Sequence, residues 1–119
     1  MNPALSIYHS QPLRKGGVKK RIALLGSTGS VGVNALKVIS SLKDRFEITA
    51  LSADSNIKAL AGQARLFDPK VLCVRDGWLA GKLKALVHPD ISILNGTGGL
   101  EEIVSRPDVD IVIFAISGS

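Results

Sequence analysis

The run Ile22-Ala23-Leu24-Leu25-Gly26-Ser27-Thr28-Gly29-Ser30-Val31-Gly32 decides the fold. Arg21 to Leu25 is a short β-rich stretch ending in Gly26. From Ser30 to Leu42, Val31, Leu36, Val38, Ile39 and Leu42 are spaced for one buried helical stripe. Between the two, Gly26 allows a sharp turn without a Cβ clash. Gly29 lets the backbone come close to a pyrophosphate, and Gly32 lets the new helix pack tightly on the strand. The free N–H groups and dipole of that helix would face the anion. Ser27, Thr28 and Ser30 are expected to add hydroxyl donors for phosphate oxygens. The spacing is G-x-x-G-x-x-G, one residue longer in the turn than G-x-G-x-x-G. A strand before it and an amphipathic helix after it give the context a dinucleotide loop requires.

Outward from this loop, apolar runs and helical patterns alternate. Phe46 to Ser52 reads as a second strand and Ile57 to Phe67 as a second helix, with Ser55 or Asn56 placed to cap it. Lys70 to Val74 is a third strand, and Trp78 to Val87 a third helix capped by Asp76. Ile91 to Leu94 is a short fourth strand. Gly98 and Gly99 lead into a brief helix through Leu100, Ile103 and Val104, and Asp110 to Ile116 is a fifth strand. Strands separated by helices run parallel through right-handed crossovers. The expected fold is α/β, a doubly wound, mostly parallel sheet in three layers, Rossmann-like. Residues 1–19 read as a flexible leader, disordered or an extended start, and residues 20–119 as a dinucleotide-binding domain. The chain stops at the carboxyl edge of the fifth strand, where such folds place their sites, which suggests a fragment of something longer.

Composition narrows the function. Hydrophobic residues make up 45% and aromatics only 4%, which suits an aliphatic core and argues against base-stacking surfaces. The net charge of +5 falls away once Arg14, Lys15, Lys19, Lys20 and Arg21, in or beside the leader, are set apart. The rest of the chain is neutral, so nucleic acid is not the expected partner. Cys73, the only cysteine, lies among Val71, Leu72 and Val74 and reads as a buried small hydrophobe. No run is long enough to span a membrane, and no secretory signal is visible, so the cytoplasm is the default location.

The residues after the second strand choose between dinucleotides. Asp54 lies about 20 residues beyond the loop, where an acid grips the ribose 2′-hydroxyl of NAD and would repel a 2′-phosphate. Ser55, Asn56 and Lys58 pull the other way. Catalytic candidates are weak: His9 and His88 have no positioned partner. Glu101 and Glu102 are expected at the start of a helix, where acids complement the dipole. The acids show no metal-ligand grouping.

Leu25-Gly-Ser-Thr-Gly-Ser-Val-Gly32, followed by Leu36-Lys-Val-Ile39, closely resembles the start of the 1-deoxy-D-xylulose 5-phosphate reductoisomerase family. Phe46-Glu-Ile-Thr-Ala-Leu51 with Ser55-Asn56, Asp68-Pro-Lys70, Gly99-Leu-Glu-Glu102 and Asp110-Ile-Val-Ile-Phe-Ala-Ile116 extend the likeness over nearly the whole chain. The family makes 2-C-methyl-D-erythritol 4-phosphate for isoprenoid synthesis, using NADPH and a divalent metal, Mg or Mn. The resemblance implies cofactor contacts at Gly26, Thr28, Gly29, Ser30, Val31 and Gly32, and at the turn of Asp54, Ser55 and Asn56. It also implies that Ala115, Ile116 and Ser117 lie near the nicotinamide. The family commonly has glycine where this chain has Asp54, and its metal-binding acids and substrate segments come after the last residue here. The expectation is therefore NADPH binding without full catalysis, with no catalytic or metal residue to name. A homodimer is compatible with the resemblance, and the exposed end of the fifth strand is a place where a second copy could pair.

Other readings compete. A short-chain dehydrogenase also uses G-x-x-G-x-x-G but needs a Tyr-x-x-x-Lys pair, and the sole tyrosine, Tyr8, precedes the fold. A semialdehyde dehydrogenase needs a later nucleophilic cysteine, whereas Cys73 sits mid-strand. A non-catalytic nucleotide-sensing or CoA-binding module would bind without hydride transfer.

Overall fold

A computed structural model describes the backbone of residues 4–9 and 18–116 and the side chains of residues 18–115. The elements in chain order are β1 (Ala4–His9), β2 (Lys20–Leu25), α1 (Ser30–Ser41), β3 (Phe46–Ser52), α2 (Ile57–Phe67), β4 (Val71–Val74), α3 (Gly77–Lys84), β5 (Ser92–Asn95), α4 (Gly96–Val104) and β6 (Ile111–Ile116). They form one six-stranded sheet in the order β1-β6-β2-β3-β4-β5. Strands β2 to β6 are mutually parallel, and β1 pairs antiparallel with β6. The parallel α/β expectation holds.

Within the stretch expected to be a leader, Ala4–His9 form β1, and residues 1–3 and 10–17 lie outside the described residues. Because β1 pairs along the whole of β6, from Ala4↔Ile116 to His9↔Ile111, that edge of β6 is covered by the same chain.

The parallel strands form because their residues are apolar on both faces. All four residues of β4 and the last four of β2 are buried, as expected of strands covered on two sides. One face packs Leu24, Leu51 and Leu72 against α1, α2 and α3 through Leu36, Ile39, Leu60, Ala64 and Leu83. The other packs Ala23, Ala50, Val71 and Val112 against Ile103 of α4. Leu24, Leu51 and Leu72 are fully enclosed, each contributing about 2–3 kcal/mol by leaving water.

The α1 stripe is narrower than expected. Gly32, Leu36 and Ile39 are buried, whereas Val38 faces solvent, because a helix on an open sheet buries a single line of contacts. Helix α2 ends where Asp68 turns left-handed (φ 48°) just before Pro69. Helix α4 begins at Gly96 and already includes Gly98 and Gly99, expected only to lead into it. Glu101 and Glu102 therefore sit mid-helix and exposed, and the dipole argument made for them does not apply.

Chain direction positions the site. From β2 to β5 the strands step one way with α1, α2 and α3 on one face. Helix α4 then carries the chain back over the other face to β6, on the far side of β2. The strand order therefore reverses between β2 and β6, and the crevice at their carboxyl ends is where such sheets bind ligands. At the opposite end Asp110, 1% exposed, accepts from the Arg21 backbone N–H at 2.7 Å and from Nε and Nη2 at 3.1 Å each. That pairing fixes the register of β6 beside β2 and raises the pKa of the Arg21 guanidinium.

Candidate functional site

The loop after β2 is shaped by two backbone constraints. Gly26 has φ +81°, and a side chain there would drive its Cβ into the carbonyl of Ala115 at the end of β6. Gly32 faces inward, and its Cβ would strike the Gly26 carbonyl oxygen and lie 2.7 Å from Ser27 Cα. Both glycines are therefore required by the protein's own backbone. Gly29 differs: as N-cap of α1 it has φ −76° and ψ 173°, extended geometry that any residue adopts. It is also exposed.

Neighbouring elements hold the loop. The Gly26 N–H donates to both the carbonyl and the hydroxyl of Ser52, at 3.0 and 3.1 Å, and the Ser27 N–H donates to the same carbonyl at 2.8 Å. Ser27 is fully buried, and its hydroxyl donates to Gln63 Oε1 at 2.6 Å while Gln63 Nε2 returns a bond to the Ser27 carbonyl at 2.9 Å. The expected phosphate donor Ser27 is thus committed to α2 and corrected to an anchor. Thr28, half-buried, and Ser30, exposed, remain at the mouth of α1 with Val31.

No side chain caps α1, and its first turn carries no acid. By contrast, Asn56 Oδ1 caps α2 through Ala59 N–H at 3.2 Å, and Asp76 Oδ1 caps α3 through Leu79 N–H at 3.0 Å. The opening amides of α1 therefore point, with the positive end of the helix dipole, at the rim of the sheet.

Beside the loop lies a cleft of about 300 Å³ at the carboxyl ends of the strands, lined by Gly26, Ser52, Ala53, Asp54, Arg75 and Thr97 among others. Asp54 forms one of its walls, with Ser55 and Asn56 exposed beyond it. Arg75, which sequence reading missed, reaches Asp54 Oδ2 at 3.3 Å and Asp76 Oδ2 at 3.4 Å. The Leu79 N–H, and then Arg75, hold the Asp76 carboxyl below the usual carboxylate range. Ala115 is buried at the end of β6 against the Gly26 turn, Ile116 closes that strand, and Ser117 lies outside the described residues. Three parts of the expected site therefore converge on one rim.

The remaining candidates stay apart from it. His88 is exposed, its Nδ1 accepting from the Asp90 N–H at 3.1 Å, and the side chain of His9 lies outside the described residues. Cys73 is buried, with its thiol pKa raised by that burial. Among the described residues no group of three or more His, Cys, Asp or Glu side chains is placed to hold a metal ion. Nor, among them, is any helix long and apolar enough to cross a membrane.

The family model for 1-deoxy-D-xylulose 5-phosphate reductoisomerase matches residues 22–119. The chain belongs to that reductoisomerase family. A reductoisomerase of Chloroherpeton thalassium is 47% identical over 100 residues, which is 83% of this chain and 26% of that protein. One from a Thermoanaerobacter species is 41% identical over 99 residues, with the same coverage of both chains. Among solved structures, a reductoisomerase in complex with NADPH, fosmidomycin and magnesium superposes with a TM-score of 0.72 at 34% identity, covering 76% of this chain and 23% of that one. The Zymomonas mobilis reductoisomerase in complex with NADPH gives 0.67 at 30% identity, covering 71% and 23%. The chain thus spans about a quarter of the length of the reductoisomerases it matches.

Proposed function

We propose that this chain is the NADPH-binding portion of a reductoisomerase that converts 1-deoxy-D-xylulose 5-phosphate to 2-C-methyl-D-erythritol 4-phosphate. The carrying observation is the mouth of α1. Its amides are left uncapped beside a glycine, Gly29, whose own conformation does not require glycine. An anion resting on those amides accounts for both facts, because only a residue without a side chain lets a diphosphate reach the backbone.

In this reading Gly26 and Gly32 shape the loop, and Thr28, Gly29, Ser30 and Val31 meet the pyrophosphate. Asp54, Ser55 and Asn56 meet the adenosine ribose. Asn56 uses its Oδ1 as a helix cap, which leaves its amide NH2 to donate. Ala115 and Ile116 border the nicotinamide side. NADPH, when bound, supplies the hydride. This chain's residues bind and orient it, and the metal and substrate would be held by other parts of the enzyme. By itself the 119-residue chain binds cofactor and does not turn over. We place it in the cytoplasm, a setting that suits a lone free thiol.

Calorimetric titration of the chain with NADPH tests this. Gly29→Val should fold normally, since the backbone there is extended, and should lose NADPH binding. Undiminished affinity in a folded Gly29→Val variant would remove the phosphate-loop assignment.

A further inference from the structure

Asp54 poses a problem for a chain proposed to take a 2′-phosphorylated dinucleotide. A carboxylate at the end of the strand after the glycine loop accepts hydrogen bonds from ribose hydroxyls and repels a phosphate in their place. The next strand along the sheet bears on this problem. Strands β3 and β4 are parallel neighbours, so the residues just past their ends, Asp54 and Arg75, lie side by side, with the Arg75 N–H donating to the Asp54 carbonyl at 3.0 Å. Both side chains line the same cleft.

The guanidinium is not locked in place. Its contacts to Asp54 and Asp76 are long, at 3.3 and 3.4 Å, and the Arg75 and Asp54 side chains are 56% and 73% exposed. Exposed pairs of this kind are held weakly. Asp76 already spends one carboxylate oxygen on the Leu79 N–H. Arginine presents five donors in a planar fork suited to phosphate, and only two of its nitrogens are engaged here, by single contacts.

Resting on the dinucleotide reading above, we propose that Arg75 determines specificity for the 2′-phosphate of the adenosine ribose. With no ligand it neutralises Asp54. With the phosphorylated dinucleotide it turns its fork onto the 2′-phosphate, at the spot from which Asp54 alone would select the unphosphorylated form. The chain thereby supplies from β4 the cation that its β3 turn lacks.

The test is titration of the chain and of Arg75→Gln with NADPH and with NADH, at two salt concentrations. Arg75→Gln should weaken NADPH binding tenfold or more, leave NADH binding unchanged or tighter, and reduce the salt sensitivity of NADPH binding. Adding Asp54→Asn to Arg75→Gln should restore part of the NADPH affinity. Equal losses for both dinucleotides, or no loss for either, would overturn the proposal. So would a selective NADPH loss found in Lys58→Gln and not in Arg75→Gln. Those outcomes leave the phosphate loop standing, whereas an unaltered chain that binds neither dinucleotide would remove loop and Arg75 assignments together.

Discussion

Replacing Gly32 by alanine adds one carbon at the point where α1 meets the loop, and its effect can be worked from the contacts. The new Cβ would overlap the Gly26 carbonyl oxygen and lie 2.7 and 2.8 Å from Ser27 Cα and carbonyl carbon, all backbone atoms. Non-bonded carbons rest about 3.5–4.0 Å apart, so helix and loop must separate by roughly an ångström. The loop cannot yield freely, because Gly26 and Ser27 are tied to Ser52 and Gln63. Overpacking of this kind costs about 1–3 kcal/mol, and each anchoring hydrogen bond broken adds about 1 kcal/mol. Alanine's helix preference returns at most about 1 kcal/mol. The net loss, about 2–4 kcal/mol, lowers the melting temperature by roughly 10–25 °C for a domain of this size.

Gly62→Ala in α2 is the control: nothing lies within 4 Å of its Cβ, so it should stabilise by about 0.5–1 kcal/mol. Thermal unfolding followed by far-UV circular dichroism reads both variants, and NADPH titration well below the transition reads the loop. A Gly32→Ala chain within about 0.5 kcal/mol of the parent, binding NADPH equally well, would refute the close-packing argument.

Two further outcomes follow from side chains outside the loop's own backbone. Gln63→Leu leaves the buried Ser27 hydroxyl without its partner and should cost about 1–3 kcal/mol in urea unfolding; no loss of stability would mean the Ser27–Gln63 pair does not anchor the loop. Asp108 accepts from Arg106 Nε and Nη2 at 2.8 Å each, and that pairing holds its carboxyl below the usual range. Its stabilisation is therefore complete above the unfolded-state value of about 3.9 and is lost as pH falls through the lower folded value. Asp108→Asn should weaken the chain at neutral pH and flatten the acid limb of its stability curve, and an unchanged acid limb would contradict the assignment.

Much of the fold was legible because the decisive signals are local. An apolar run ending in Gly26, a helical stripe from Ser30 and caps at Asn56 and Asp76 each depend on residues a few positions apart, and each is present in the structure. What sequence missed depends on partners brought together by the sheet. Ser27 looked like a ligand donor until α2 placed Gln63 against it, 36 residues on. The one available sign was an amide at position 63, between the buried Ala61 and Ala64. Arg75 was passed over because its relation to Asp54 exists only where β3 and β4 lie side by side. The start of α4 shifted because Gly96 and Gly98, poor helix formers in isolation, are drawn into the helix above β5.

The antiparallel pairing of β1 has a practical corollary. Since Ala4 stands opposite Ile116, the amino end of β1 lies on the same side as the glycine turn. A fluorophore attached there would sit close enough to report occupancy, while tethering the molecule to a sensor surface by that end would crowd the entrance and depress apparent association rates. Probes are best joined at the amino end of β1 and supports at the opposite side, near the Arg21–Asp110 pair.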